Sequence, residues 1–452
     1  MTKKKQQIWN GNVRDAALSI LLAVDKKQAY SNLLLHQTIE KYKIEAKDRA
    51  LLTEITYGTL QHKLTLDYYL APFVRGKVEV WVQWLLRLSL FQMHYLTRIP
   101  PHAAVNEAVE IAKRRGHKGI ASMVNGVLRS IIRQGVRSTE EIADEVERLA
   151  IATSHPQWLV ERYIAAYGIE RTTAMLTHNN LPAKQTVRVN TIKATPEKAI
   201  AALEQEGLTV LQSAFLPECL TITGGQAART TAFKQGLITI QDESSMLPAN
   251  VLNPQPGMRV LDMCAAPGGK TTHLAEKMHN EGAILALDLH PHKLELIDEN
   301  TARLSIDIVQ TAPLDGRKAA NTLQKGSFDA ILVDAPCSGL GVMRRKPDIK
   351  YTKKMEGFAN LQAIQLAILA NAVELLKPEG RLVYSTCTIN QEENEGTVQA
   401  FLKEHPNMEA IVLENLPQQL VHEQREGMLQ VFPQHMDSDG FFVAAFVKKE
   451  TK

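Results

Sequence analysis

Between residues 13 and 133, apolar side chains recur at helical spacing in one segment after another. Ala17, Ile20, Leu21 and Val24 fall on one face of a helix predicted over 14–24, and Trp84, Leu85, Leu88 and Phe91 do the same over 81–96. Pro100-Pro101 ends that second segment, and 102–114 and 118–133 repeat the pattern. Glycine is sparse and β-branched alternation is scarce, so residues 1–139 are expected to form an all-helical domain, with Trp81 and Trp84 in its core.

An acidic stretch over 138–147 connects to a mixed region, 156–236. Thr186–Asn190 and Leu220–Thr223 read as strands and 196–206 as a helix, which makes residues 140–236 a linker and a small α+β module. From there to the end, 237–452, strand and helix alternate. The strands are short apolar runs: 259–262, 283–288, 330–334 and 382–385. Such alternation predicts a parallel, doubly wound sheet. Asp262, Asp288 and Asp334 close three of these strands at the ends where such sheets bind ligands. The fold class is therefore multidomain: helical domain, small α+β module and C-terminal α/β Rossmann-like domain.

Charge sharpens the division. Residues 1–139 carry about +12 and the remainder about −9, within a net +3, so an anionic partner is expected for the helical domain. Lys113, Arg114, Arg115, His117 and Lys118 are candidate RNA contacts there, as is the run Arg344-Arg345-Lys346-Pro347-Asp348 further on. The basic opening MTKKKQQIWN has no apolar segment behind it, and apolar stretches break within about ten residues, so a cytoplasmic protein away from membranes is expected. Four cysteines, Cys219, Cys264, Cys337 and Cys387, are too few for a disulfide framework and form no zinc-like pair; no catalytic metal is expected.

Candidate chemistry lies in three loops. The loop Cys264-Ala265-Ala266-Pro267-Gly268-Gly269-Lys270 follows a strand and opens a helix, and its small side chains let a ligand approach the backbone. It matches neither phosphate-binding fingerprint, which counts against a dehydrogenase. Together with Asp288, Asp315 and Asp334 it suits an adenosine-bearing ligand without a pyrophosphate, for which S-adenosylmethionine fits. Cys337 and Cys387 each follow a strand of this sheet on the ligand side.

Two thiols beside a methyl donor suit methylation of cytosine C5, a poor nucleophile until a thiolate adds to C6. Asp334 is a candidate to stabilise charge developing on that ring, and the base must leave its stack to reach such a pocket. Which thiol attacks is open from the residues alone.

The motifs MCAAPGGKT, DAPCSGLG and STCT, in that order, resemble the Sun/Nop2 family of RNA cytosine-C5 methyltransferases, and HAAVNEAVEIAKR with MVNGVLR resembles a NusB-type RNA-binding domain. The resemblance covers essentially the whole chain. It implies a class I methyltransferase domain, an RNA-recognition-like middle module carrying the signature Arg188-Val189-Asn190, and small-subunit (16S) ribosomal RNA as substrate, with no DNA expected and a monomer the working state.

It further implies Cys387 as nucleophile and Cys337 in product release, although Pro336-Cys337 also resembles the nucleophile motif of DNA cytosine methyltransferases. By the same resemblance, Cys264, Ala265, Ala266, Pro267, Gly268, Gly269 and Lys270 hold S-adenosylmethionine. Asp288 takes its ribose, Asp315 its adenine, and Asp334 its amino end or the target base. The tail HMDSDGFF (435–442) lines the target pocket.

Overall fold

The computed structural model describes residues 11–27 and 31–450, and the basic opening residues 1–10 lie outside them. The chain divides into two compact units, 1–181 with 343–352, and 182–342 with 353–452.

The described part of 1–139 is helical as expected, with α1 (Val13–Lys27), α2 (Ser31–Tyr42), α3 (Ala46–Gln61), α4 (Lys63–Leu70), α5 (Val80–Tyr95), α6 (Pro101–Arg115) and α7 (Lys118–Gln134). The first unit continues through α8 (Glu145–Thr153), α9 (Gln157–Tyr167) and α10 (Ile169–His178) into the stretch expected to be linker and mixed module. The apolar faces of α1 to α7 meet in one core, with Leu21, Leu52, Ile55, Leu86, Leu88 and Leu128 among its buried members. α1 and α5 supply the largest shares of it, with Trp84 fully buried and Trp81 at its margin. α3 approaches α5 so closely that a Cβ at Gly58 would run into the Phe91 ring, which is why a glycine sits inside that helix. Proline starts α6 at the position where a missing N–H costs nothing, and Asp144 caps α8 through the Glu147 N–H.

The second unit opens with a four-stranded antiparallel sheet in the order β2-β3-β1-β4. Its strands are β1 (Gln185–Val189), β2 (Thr209–Gln212), β3 (Cys219–Thr223) and β4 (Ile238–Ile240), with α11 (Pro196–Gln205) and the short α12 (Thr231–Lys234) between them. Val187, Val189, Leu203, Leu220 and Ile222 form its small separate core.

After α13 (Leu247–Leu252) comes the large sheet, ordered β10-β12-β9-β8-β5-β6-β7, with β11 added on β12. Strands β5 (Arg259–Asp262), β6 (Ala283–Asp288), β7 (Val309–Pro313), β8 (Phe328–Asp334) and β9 (Leu376–Thr386) run parallel. The helices α14 (Gly269–Lys277) and α15 (Pro291–Leu304) fill their crossovers. β5 lies centrally, so the ligand ends of β5, β6, β8 and β9 are neighbours.

Strand–helix alternation does not run to the end of the chain as the periodicity predicts. After α17 (Phe358–Leu375), β9 and α18 (Glu395–Glu404), the strands β10 (Met408–Ala410), β11 (Met428–Val431) and β12 (Phe441–Lys448) pair antiparallel, with a 3-10 turn (Gln418–Glu423) and the short α19 (Pro433–Met436) among them. Together with the turn before it, α17 (355–375) is the one helix among the described residues with the length and hydropathy of a membrane span. Its Ile368, Leu369, Ala372 and Leu375 are packed into the core on one face of the large sheet.

The segment 343–352, ending in α16 (Ile349–Thr352), belongs to the helical unit. There Asp348 accepts from Ser31 Oγ, Tyr351 donates to the Ser154 carbonyl at 3.1 Å, and Lys350 Nζ donates to Asn180 Oδ1 at 2.8 Å. The expectation of an exposed phosphate contact at Arg344–Asp348 is corrected at two of its members. Arg344 and Asp348 are buried, with Arg344 against His178 and the Leu181 carbonyl, because this stretch threads among helices. Likewise Arg115 is no surface cation. It ties α6 to α1 by pairing with Asp15 at 2.5 Å and donating to Ser19, while His117 and Lys118 remain exposed.

Candidate active site

β5 delivers Asp262 to the ligand end of the sheet with its side chain fully buried. Burial drives the Asp262 carboxyl up to about 7; the Thr271 hydroxyl at 2.7 Å opposes this and the charge of Asp334 adds to it. The following loop turns at Gly268, where φ is +98° and a Cβ would press on the backbone of Ile297 at 3.2 Å. That geometry requires glycine. α14 then starts at Gly269.

A cavity of about 190 Å³ opens here. It is lined by Asp262, Cys264, Ala265, Ala266, Pro267, Gly269, Lys270 and Asp334, together with Ile240, Gln241 and Ser245. Six of the seven predicted loop residues line it; Gly268 shapes the turn behind. Asp288 and Asp315 stand at neighbouring strand ends outside this lining. Asp288 accepts from the His290 N–H at 3.0 Å and lies 3.8 Å from Lys293. Asp315 is bound by Arg317 at 2.7 Å, which holds its carboxyl below the ordinary range. The Cys264 thiol is pushed far up by burial and then by the carboxylates of Asp262, Asp334, Asp288 and Asp315, so this end of the sheet is ringed by acids.

Asp334 ends β8 and is bracketed. Lys270 Nζ donates to one oxygen at 2.8 Å and Ser385 Oγ, on the adjoining β9, donates to the other at 2.8 Å. Burial works against the charge on Lys270, but Asp334, Cys387 and Asp262 outweigh it and raise the ammonium above its usual value. The same ammonium sits 5.2 Å from the centre of the Phe441 ring.

Past the strand ends, two loops bring Cys337 and Cys387 together, with sulfurs 3.4 Å apart. Cys337 is held protonated by its hydrogen bond with Cys387, then by burial and by the nearby Glu393. The loops are stitched to each other: Ser338 Oγ and Thr388 Oγ1 lie 2.7 Å apart, and Gly341 N–H donates to the Cys387 carbonyl at 3.0 Å. The Gly440 N–H donates in turn to the Gly341 carbonyl at 2.8 Å, so the tail 435–442 closes on both thiol loops. A Cβ on Gly341 would overlap the Gly440 carbonyl, which excludes any other residue there.

Residues missed from sequence are Glu393 and Ser385, which hold the thiol loop and Asp334, and Arg188 in the structural role it proves to have. Arg188 is wholly buried and paired with Glu276 at 2.8 Å. A single sequence carries no signal for such long-range pairing; the one hint is an arginine inside an apolar strand.

A parallel sheet with an acid-ringed cavity at its switch point, in a chain that also carries a helical unit, defines a class I methyltransferase joined to a NusB-type domain. The chain matches the 16S rRNA methyltransferase RsmB/F model over 249–447, the NusB family over 11–133 and the RsmF/B-like ferredoxin-like domain over 155–229. It is 49% identical to the probable ribosomal RNA small subunit methyltransferase B of Bacillus subtilis, over 97% of this chain and 99% of that one. It is 34% identical to the ribosomal RNA small subunit methyltransferase B of Yersinia enterocolitica, over 96% and 98%. Among solved structures, PH0851 superposes over 98% of this chain and 100% of its own, with TM-score 0.81 and 29% identity. NSun6 from Pyrococcus horikoshii, solved with SFG, covers 66% of this chain and 99% of its own, with TM-score 0.58 and 25% identity. The chain belongs to the ribosomal RNA small subunit methyltransferase B family.

Proposed function

We propose that this protein transfers a methyl group from S-adenosylmethionine to C5 of a specific cytosine in 16S ribosomal RNA, through a covalent bond between cysteine and cytosine C6. The observation that carries the reading is the pair of sulfurs 3.4 Å apart, next to the acid-lined cavity of a family methyltransferase fold.

The cavity suits the proposed methyl donor. Its small loop residues leave room at the start of α14, and the surrounding carboxylates favour a cation. When bound, S-adenosylmethionine supplies an electrophilic methyl group. Cys264–Lys270 form its bed, Asp288 and Asp315 are assigned to ribose and adenine, and Asp334 to its amino end or to the target base.

Cys387 is the proposed nucleophile. The Lys270 ammonium, kept charged chiefly by Asp334, interacts with Cys387 and supplies the nearby cation that a nucleophilic cysteine uses. Addition of that thiolate to C6 gives C5 the electron density to take the methyl group. A base then removes the C5 proton, and the electron pair returns to expel Cys387 and restore the ring. Cys337, held as a thiol beside it, serves this release. The basic helical unit would contact the rRNA, and the working enzyme is a cytoplasmic monomer away from membranes and DNA.

The test is trapping with Cys337→Ala and Cys387→Ala proteins, S-adenosylmethionine and 16S rRNA transcripts. A protein–RNA adduct that accumulates with Cys337→Ala and is missing with Cys387→Ala supports these roles. The reverse pattern makes Cys337 the nucleophile, as Pro336-Cys337 allows. Neither adduct nor methyl transfer by the unaltered protein on assembling subunits or naked rRNA would overturn the reading.

A further inference from the structure

A guanidinium has five N–H donors in a rigid planar fork. Arg188, on β1 of the small antiparallel sheet, places all five. Nε and Nη2 grip both oxygens of Glu276 at 2.9 and 2.8 Å. Nη2 also donates to Thr272 Oγ1 at 2.9 Å. Nη1 donates to the Gly269 carbonyl at 2.7 Å and to the side-chain oxygen of Gln241. The Arg188 side chain is 0% exposed and that of Glu276 1%.

Three of these anchors, Gly269, Thr272 and Glu276, lie along one face of α14 from its first residue. Thr272 closes the turn by donating to the Gly268 carbonyl at 2.9 Å. Gly269 and Gln241 both line the cavity, and Arg188 Nη1 bridges them. An ion pair that served stability alone would need only Glu276. The remaining contacts reach past it to the backbone where α14 begins and to Gln241, which also donates to the Ser245 carbonyl at 2.9 Å.

We propose that Arg188 is a positioning residue for the S-adenosylmethionine site: it fixes the junction of loop and helix at Gly268–Lys270 against Gln241, so that the cavity is formed before the ligand arrives. The proposal rests on the reading that this cavity takes S-adenosylmethionine. A fixed wall spares the ligand the cost of ordering it, so loss of the clamp weakens binding. Lysine cannot replace the fork, because a point charge with three donors cannot span Glu276, Gly269 and Gln241 together.

Calorimetry of the full chain with S-adenosylmethionine and with S-adenosylhomocysteine tests this. Removing Arg188 alone would strand a buried carboxylate, so the informative variant is Arg188→Met with Glu276→Leu, which removes both charges. The double variant is expected to melt near the unaltered protein and to bind both ligands at least about tenfold more weakly. Arg188→Lys, which keeps a cation against Glu276, is likewise expected to keep stability but not affinity. If the double variant does not fold, Arg188→Lys decides alone: unaltered affinity in that protein overturns the proposal. Unaltered affinity in a folded double variant overturns it too. Failure of the unaltered protein to bind either ligand would instead overturn the reading of the cavity itself.

Discussion

The buried carboxylate of Glu393 accepts the backbone N–H of Ser338 at 2.8 Å, so the loop that carries Cys337 hangs from a side chain more than fifty residues along the chain. Gln365 Nε2 and Asn390 Nδ2 also donate to Glu393, at 3.1 and 3.0 Å, and its backbone carbonyl takes the Tyr384 hydroxyl at 2.6 Å.

Glu393→Ala strips the acceptor from three buried donors, so it is expected to destabilise the protein by about 3 kcal/mol. It should also slow covalent capture of RNA as Ser338 and Cys337 drift. Glu393→Gln keeps one oxygen, and a turned Asn390 amide can meet the new NH2 group, so that variant should stay close to normal. Urea denaturation and adduct formation, measured on both variants, check this. Equal loss in Ala and Gln variants would show that the charge, and not the acceptor, matters.

Asp262 predicts a pH effect. Its carboxyl is raised to about 7 against an ordinary 3.8, so the folded protein holds a proton that the unfolded chain has released between those values. The stability it contributes is therefore present at acid pH and lost as pH rises toward about 7. A cationic ligand favours the ionised form, so S-adenosylmethionine should bind with proton release below about pH 7 and more tightly as pH rises to that point. Calorimetry in buffers of different ionisation enthalpy reads the released proton directly. Asp262→Asn should abolish the release.

Lys350 predicts the opposite trend for the helical unit. It is buried with Asn180 and the Gln61 carbonyl as its hydrogen-bond acceptors, and burial holds its ammonium far below the usual value. The unfolded chain binds this proton more readily than the folded one, so stability should climb as pH rises toward 10.5. Lys350→Met, similar in length and without charge, should flatten that climb and leave the protein at least as stable at pH 7. A lower melting temperature at neutral pH in the Met variant would mean that the two hydrogen bonds outweigh the cost of burying the amine.

Much of this architecture is legible in local sequence. Helical periodicity marks the core face of α5 because burying one stripe of a helix needs an apolar residue every three or four positions. The apolar runs of β5, β6, β8 and β9 are legible because a strand covered on both faces excludes polar side chains. The loops bearing Lys270, Cys337 and Cys387 stand out for the same local reason, small or reactive residues at strand ends.

β7 escapes because it is a half-exposed edge whose VQTAP has no apolar run, and β10 to β12 escape as an antiparallel set because periodicity is blind to strand direction. Local patterning along the chain is enough to mark three regions, the parallel sheet and the residues brought to its ligand end. The Arg188 fork on α14, the Glu393 support of Ser338, the meeting of Gly341 with Gly440, and the burial of Arg344 and Lys350 among helices come from the packed fold instead. Each joins positions far apart in the chain, and such pairing is chosen by which groups lose water together on folding, a condition no single stretch of sequence expresses.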